Sequence, residues 1–288
     1  MLVVPGFLLS ILLFALAPAV LQADLRDGTL HFHWANGISS IRNYLQGIFS
    51  GESFHFLAGR TEHSFWEQIG AYFKVSFFYT VIGGVVGLTG GMFLGVYFAI
   101  SRYRWMRRIL ELTSILPDFV IVLLLQFLVV YFASVTGVAV FQVASVSTDD
   151  PAIALPLIST ILIPSNYMIR NVALQMNNAF AEDYITFARA RGLGKSYIVF
   201  FHALPNVLPF IKADLHKFMG ILFGNLFIFE YLYNLNGVTL FVFSNAFDYS
   251  GYQYSFVVNG LFTLSALYFI VYALLRAAIF GWEKVIVR

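Results

Sequence analysis

No cysteine occurs in the 288-residue sequence, which excludes disulfides, thiolate metal sites and cysteine nucleophiles and leaves the compartment open. Charge is scarce as well. Only 11% of residues are Asp, Glu, Lys or Arg, against about 25% in an ordinary soluble domain. No polar stretch is long enough to build a soluble domain with its own core. The sequence contains no GxSxG, no HExxH and no membrane-embedded Ser/Lys or Asp/Asp pair at catalytic spacing. GLGKS at 192–196 supplies the last residues of a phosphate-binding loop. The first glycine of that pattern would fall on Arg189, however, and no buried strand precedes it, so nucleotide binding by this chain is excluded. The arginines have no soluble domain to present them to a nucleic acid and read as membrane-surface anchors.

What remains is hydrocarbon. Hydrophobic residues make up 59% of the chain and the mean hydropathy is +0.79, which points to an all-α, polytopic membrane protein. The net charge of +2 says little, because the placement of basic residues rather than their sum sets topology. Leu2–Leu21 is about one bilayer span long. Ala17-Pro18-Ala19 resembles a signal-peptide cleavage site, yet no Lys or Arg precedes the apolar block, so a retained first span over 1–21 is expected, or a start further upstream. Residues 22–69 read as an extracytoplasmic loop. Ile38, Ile41, Tyr44, Leu45, Ile48 and Phe49 recur at helical spacing there, as in an interfacial amphipathic helix. His31, His33, His55 and His63 are read as interfacial side chains, since His-x-His alone is a weak metal signal; no metal site is expected.

Residues 70–288 carry five further spans. The second, Tyr72–Ile100, has Gly83, Gly87, Gly91 and Gly95 on one helix face, a stripe that permits close helix packing. A gating role at a moving contact is the sharper alternative. Arg102, Arg104, Arg107 and Arg108 form a basic loop. The third span, Ile109–Ala133, holds Asp118, which either faces a cavity or partner or pairs with a basic residue near the inner headgroups. The loop 134–151 carries Asp149 and Asp150 but no Lys or Arg. Pro156 and Pro164 should kink the fourth span, Ala152–Leu174. The fifth, Pro209–Tyr231, opens with Lys212, Asp214, His216 and Lys217. Asp214 and Lys217 are three apart and can pair. These groups suggest a water-filled cavity, with snorkelling as the alternative for Lys212. The sixth, Phe256–Phe280, ends on Trp282 and Lys284, an interface anchor.

The polar run between the fourth and fifth spans, 178–206, organises the rest. Asn177 and Asn178 can cap a helix, with Glu182 and Asp183 in its first turns. Gly192 and Gly194 allow a sharp turn, and a second short piece, Ser196–Ala203, is expected to end at Pro205. EDYITFARARGLG (182–194) followed by FHALPN (201–206) resembles the cytoplasmic coupling loop of ABC importer permeases. It is most similar to the dipeptide, oligopeptide and nickel branch, worded near EDYVRTARAKGLS…RHALRN. The match holds at Glu182, Asp183, Tyr184, Ala188, Arg189, Ala190, Gly192, Leu193, His202, Ala203, Leu204 and Asn206. Thr186 stands where the wider superfamily has Glu, Phe187 where the branch has Thr, and Phe201 where it has Arg. YLQGIFSGESF resembles the family's segment between its first two spans. Glu230 and Gly237 match the family's outward loop, with Asn236 in place of its usual Pro.

The resemblance implies a permease fold of about six transmembrane helices with a cytoplasmic coupling helix. It implies a translocation path for a small solute, with peptides the leading class. The implied partners are a second permease subunit, two cytoplasmic ATPases that carry ATP and Mg, and an extracytoplasmic substrate-binding lipoprotein, all assembled in membrane lipid. It makes this chain non-catalytic and without a cofactor of its own. Coupling to the ATPases would fall to Glu182, Asp183, Ala188, Arg189, Ala190, Gly192 and Leu193, with small residues giving close approach and Glu182 and Arg189 polar contacts. Asp118, Asp214, Lys217 and Glu230 are the candidates for the path. Basic residues at 102–108, 189–195 and 284–288 put those segments and both termini in the cytoplasm, with 134–151 and 232–255 outside. A cleaved first segment would leave five spans and an outside N-terminus. The alternative function is an ion-coupled secondary transporter using Asp118, Asp214 and Glu230, although no inverted repeat is evident. A non-transporting scaffold or intramembrane enzyme is a third reading.

Overall fold

The computed structural model describes residues 3–23, 29–101, 115–146, 151–249 and 251–286. In chain order the helices are α1 (Val3–Phe14), α2 (Ala17–Val20), α3 (Trp34–Ser50), α4 (Phe65–Ile100), α5 (Asp118–Thr136), α6 (Ala154–Ala181), α7 (Asp183–Ala190), α8 (Leu204–Gly224), α9 (Leu226–Leu232), α10 (Val238–Asn245) and α11 (Tyr254–Ile286). Three antiparallel hairpins add short strands: β1–β2 (Leu21–Ala23, Leu30–Phe32), β3–β4 (His55–Ala58, Thr61–Ser64) and β5–β6 (Phe247–Asp248, Gly251–Tyr252). Such hairpins close locally, so helical periodicity gives no sign of them. The arginine loop 102–108, the beginning of the third span at Ile109, the Asp149–Asp150 pair and Arg288 lie outside the described residues.

Among the described residues, four helical stretches are long and apolar enough to cross a membrane: Phe65–Ile100, Asp118–Thr136, Lys195–Leu232 and Tyr254–Lys284. Two expected spans look different. The stretch Leu2–Leu21 is helical over Val3–Phe14 and again over the single turn Ala17–Val20 before strand β1 begins. Twelve residues of helix reach only about 18 Å, short of a hydrocarbon core of about 30 Å. The fourth span, α6, is 28 residues long. It carries polar side chains that a lone span could not, because Ser159, Thr160 and Ser165 are buried against protein.

The chain divides into two compact units. The first comprises 1–76 and 236–267. Its core is aromatic: Phe56, Phe65, Phe241 and Phe256 cluster with Ile69 and Val238, and Tyr72 stacks on Phe241 at 4.0 Å. A second cluster joins Ile11, Ala15, Tyr44, Tyr254 and Val258. Here the Tyr44 hydroxyl donates to Asn259 Oδ1 (3.0 Å), Asn259 Nδ2 donates to the Ser53 carbonyl (2.7 Å), and Ser53 Oγ donates to the Tyr44 carbonyl (2.8 Å). Every polar group in that ring is satisfied, and burial pushes the Tyr44 phenol up. Helix α3 turns Gly37, Tyr44 and Gly47 inward and leaves Ile38, Leu45 and Phe49 exposed. Tyr44 and Ile41, which the spacing puts on the same apolar face, pack inward instead, so the exposed stripe is narrower than the periodicity predicts.

The second unit comprises 77–235 and 268–288. The glycine stripe is its organising contact. A Cβ built on Gly83 would lie 2.9 Å from Thr160 Cβ, on Gly91 2.7 Å from Met168 Cβ, and on Gly95 2.6 Å from Val172 Cβ. Ser165 Oγ donates to the Gly87 carbonyl across the same seam (3.2 Å). The stripe therefore brings α4 against α6 at backbone distance. Helix α8 also packs along α6, burying Val207, Leu208, Ile211, Leu215 and Phe218.

Candidate functional site

The elbow between α6 and α8 has a different grammar from the one its sequence suggests. Asn177 and Asn178 are not caps: α6 runs through them to Ala181. The break comes at Glu182, whose extended backbone (φ −73°, ψ 149°) is the N-cap of α7, with no side-chain capping bond. Asp183 in the first turn and Arg189 in the last both suit the helix dipole. At the far end, Gly192 takes φ +76°, its N–H donates to the Arg189 carbonyl (2.9 Å), and the Leu193 N–H donates to the Ala188 carbonyl (3.3 Å). That double bond pattern is a Schellman cap and requires the left-handed residue at Gly192. Gly194 is extended, at φ −63°, and needs no glycine on conformational grounds.

Nor does Pro205 end the following piece. After a helical turn at Lys195–Tyr197, a π-helical segment, Ile198–Ala203, leads straight into α8, with Pro205 in its first turn. A proline ring collides with the carbonyl four residues back in regular α-helix, and the wider π turn accommodates it. The result is one continuous helical rod from Lys195 to the end of α8.

The elbow's faces are distinct. Ile185 and Ala188 of α7 are buried in its own chain, as are Ile198, Val199 and Ala203 of the π segment. Ala188 thus lies beneath the helix, where a small side chain lets α7 sit close. Glu182, Asp183, Arg189, Ala190 and Gly192 are exposed and Leu193 is half-buried. Phe187 is 65% exposed, with the Arg191 guanidinium 5.8 Å from its ring centroid. Tyr184 ties the two halves of the motif together. Burial raises its phenol pKa, a hydrogen bond with Asn206 opposes the shift, and the Glu182 carboxylate adds to it.

The candidate path residues fall into three settings. Asp214 and Lys217 pair as their spacing suggests, Nζ to Oδ1 3.5 Å, and Asn171 Nδ2 of α6 donates to Asp214 Oδ2. Asp118, the first residue of α5, accepts from Asn225 Nδ2 (2.7 Å) at the break between α8 and α9. Among the described residues its partner is an amide. Glu230 on α9 is 1% exposed, and its carbonyl receives the Leu235 N–H (2.8 Å). Lys212 binds Glu283 Oε2 (2.6 Å) instead of reaching freely for the surface. Sequence reasoning missed Asn171 and Asn225. The available signal was an amide within an apolar run, which needs a partner as much as a charge does. Among the described residues no His, Asp or Glu cluster could hold a metal.

Asp214→Asn offers a clean test of the path. Asn retains an acceptor for Asn171, and although Asp214 is half-buried its partner Lys217 is exposed, so losing the pair should cost folding only about 1 kcal/mol. Expression should stay at the wild-type level while uptake falls several-fold; an unchanged uptake rate removes Asp214 from the path.

A family model for the binding-protein-dependent transport system inner membrane component matches residues 87–284. The chain is 24% identical over 177 residues to the glutathione transport system permease protein GsiC of Salmonella typhimurium, covering 60% of this chain and 56% of the relative. It is 25% identical over 176 residues to the metal-staphylopine import system permease protein CntB of Staphylococcus aureus, covering 60% of this chain and 54% of that relative. The chain thus spans little more than half the length of these curated relatives. The match to the family takes in the glycine stripe from Gly87 onward, the elbow and the polar groups of α8. With four apolar helices of spanning length and a family match over well over half its length, this multi-pass membrane chain belongs to the binding-protein-dependent transport system inner membrane component family.

Proposed function

We propose that this chain is the transmembrane permease subunit of an ATP-binding-cassette importer. The observation that carries this reading is the elbow. A short capped helix presents an exposed aromatic and exposed basic residues, while its buried face is fixed to α6 and to the rod that becomes α8. A partner that displaces α7 must then move α8, which carries Asp214 and Lys217. ATP would act from cytoplasmic ATPase subunits that hold the nucleotide and Mg, this chain contributing no catalytic group. Closure of the ATPases shifts the population between inward-open and outward-open forms to the extent that they bind one better than the other. A second permease subunit and an external binding lipoprotein complete the assembly. Peptides are the solute class implied by the coupling-loop wording.

The orientation follows the basic residues: the elbow and the C-terminus are cytoplasmic, and the N-terminus joins them where the stretch 1–21 crosses the bilayer. Because the chain lacks cysteine, single substitutions can be labelled without background. Ala190→Cys should react only from the cytoplasmic side and Glu62→Cys only from outside; the reverse pattern overturns the orientation. The function itself is tested by reconstituting the chain with its ATPases, second permease and binding lipoprotein in sealed vesicles. Uptake should require ATP and survive an ionophore. Uptake that persists without the ATPases and collapses with the ion gradient would replace this reading by an ion-coupled transporter using the intramembrane acids.

A further inference from the structure

Between α8 and α11 lies a cleft of about 300 Å³ lined by Lys212, Leu215, Tyr272, Arg276, Ile279 and Phe280. Two cations enter it from different helices. Lys212 is already bound to Glu283 (2.6 Å), but no ion pair or hydrogen bond joins Arg276 to another described residue. Arg276 sits two turns inside the apolar stretch Tyr254–Lys284. An arginine at that depth is costly unless it reaches water or an anion, and its long stem lets it lean toward the interface marked by Trp282 and Lys284. The local charge balance is one positive in excess, since Glu283 cancels Lys212 and Arg276 is left over.

From Tyr272, which lines the cleft, a row of aromatic rings leads away from the cations. The His216 ring stacks on Tyr272 at 4.8 Å and 18°, Tyr272 lies parallel to Tyr268 at 6.4 Å, and Tyr268 meets Phe223 edge-on at 5.2 Å. A free anion has no use for such a track, but an acyl chain does. We propose that this cleft binds an anionic membrane lipid, its singly charged phosphodiester on Arg276 and Lys212 and one chain along Tyr272 and Tyr268. A single net positive charge matches a phosphodiester, and cationic pockets between spanning helices are suited to such headgroups. The leaflet, though not the site, rests on the orientation proposed above.

The test is native mass spectrometry of the full chain, extracted with its partner subunits from phosphatidylglycerol–phosphatidylcholine nanodiscs. The wild type should retain phosphatidylglycerol preferentially. Arg276→Gln should weaken retention about tenfold, the scale of one lost charge-assisted contact. Glu283→Gln, which frees Lys212, should strengthen retention, an effect that a purely structural role would not produce. Arg60→Gln, a charge removed from the first compact unit, should change nothing. Three results would overturn the proposal: equal retention by wild type and Arg276→Gln, displacement of the lipid by millimolar inorganic phosphate, or loss of the second permease from Arg276→Gln with lipid unchanged. Labelling that reversed the orientation would move the site to the other leaflet and leave the retention result standing.

Discussion

Gly95→Leu should abolish most of the folded chain, whereas Gly90→Leu, five residues earlier on the same helix, should be tolerated. The contrast isolates geometry from chemistry, since both changes add the same side chain to the same apolar helix. At Gly95 the new Cβ would lie 2.6 Å from Val172 Cβ and 3.0 Å from the Ile169 carbonyl oxygen. Neither is the loose end of a flexible side chain, so α4 and α6 must separate. Separation at one point is transmitted to Gly91 and Gly83, whose neighbours are just as near. At Gly90 nothing lies within 4 Å of the added carbon. Overpacking a tight contact costs about 3 kcal/mol at the upper end of its usual range, and replacing an interior helical glycine where space is open gains about 0.5–1 kcal/mol. The measurement is the melting temperature and monodisperse yield of the detergent-extracted protein. Equal values for the two variants would mean that the seam between α4 and α6 is not what holds this unit together, and would revive the reading of the stripe as a moving contact.

The stripe shows how far sequence reasoning reaches. A four-residue repeat of glycine in an apolar helix has one economical explanation, and the neighbouring side chains of α6 supply it. The elbow was legible in outline for the same reason: a polar run between two apolar blocks must leave the bilayer, and Gly192 stands where a Schellman cap needs it. Its details were not legible. Asn177 and Asn178 look like caps because short polar side chains favour them, but α6 is held by tertiary packing that overrides local preference. Pro205 looks like a terminator because a proline breaks a regular α-helix, and a π segment removes the clash. The partners of Asp118 and Asp214 lie 107 and 43 residues away. No spacing rule links an acid to an amide on another helix. The β hairpins leave no periodic signal because each has only two to four residues per strand.

Phe187→Ala should cut ATPase docking by about thirtyfold, the effect of losing one aromatic anchor of roughly 2 kcal/mol, with uptake falling in step and insertion unaffected. Phe187 stands where the resembled dipeptide, oligopeptide and nickel branch has threonine, is 65% exposed and carries Arg191 over its ring. A water-exposed phenylalanine makes physical sense on the elbow if a partner covers it. Removing it costs the isolated chain little, since its ring is already in solvent. Gly192 separates docking from folding more sharply. Its positive φ disfavours any side chain, β-branched ones most, yet the space around it is open. Asn tolerates the left-handed region, so Gly192→Asn should keep the Schellman cap and the melting temperature while placing a side chain on the face proposed to meet the ATPase. Gly192→Val should damage both. If Asn docks normally and only Val fails, Gly192 serves the cap alone and the contact belongs to Phe187, Arg189 and Ala190. If Phe187→Ala and Gly192→Asn both copurify with wild-type amounts of ATPase, the elbow is not the docking surface, and force from the motor must enter the rods elsewhere.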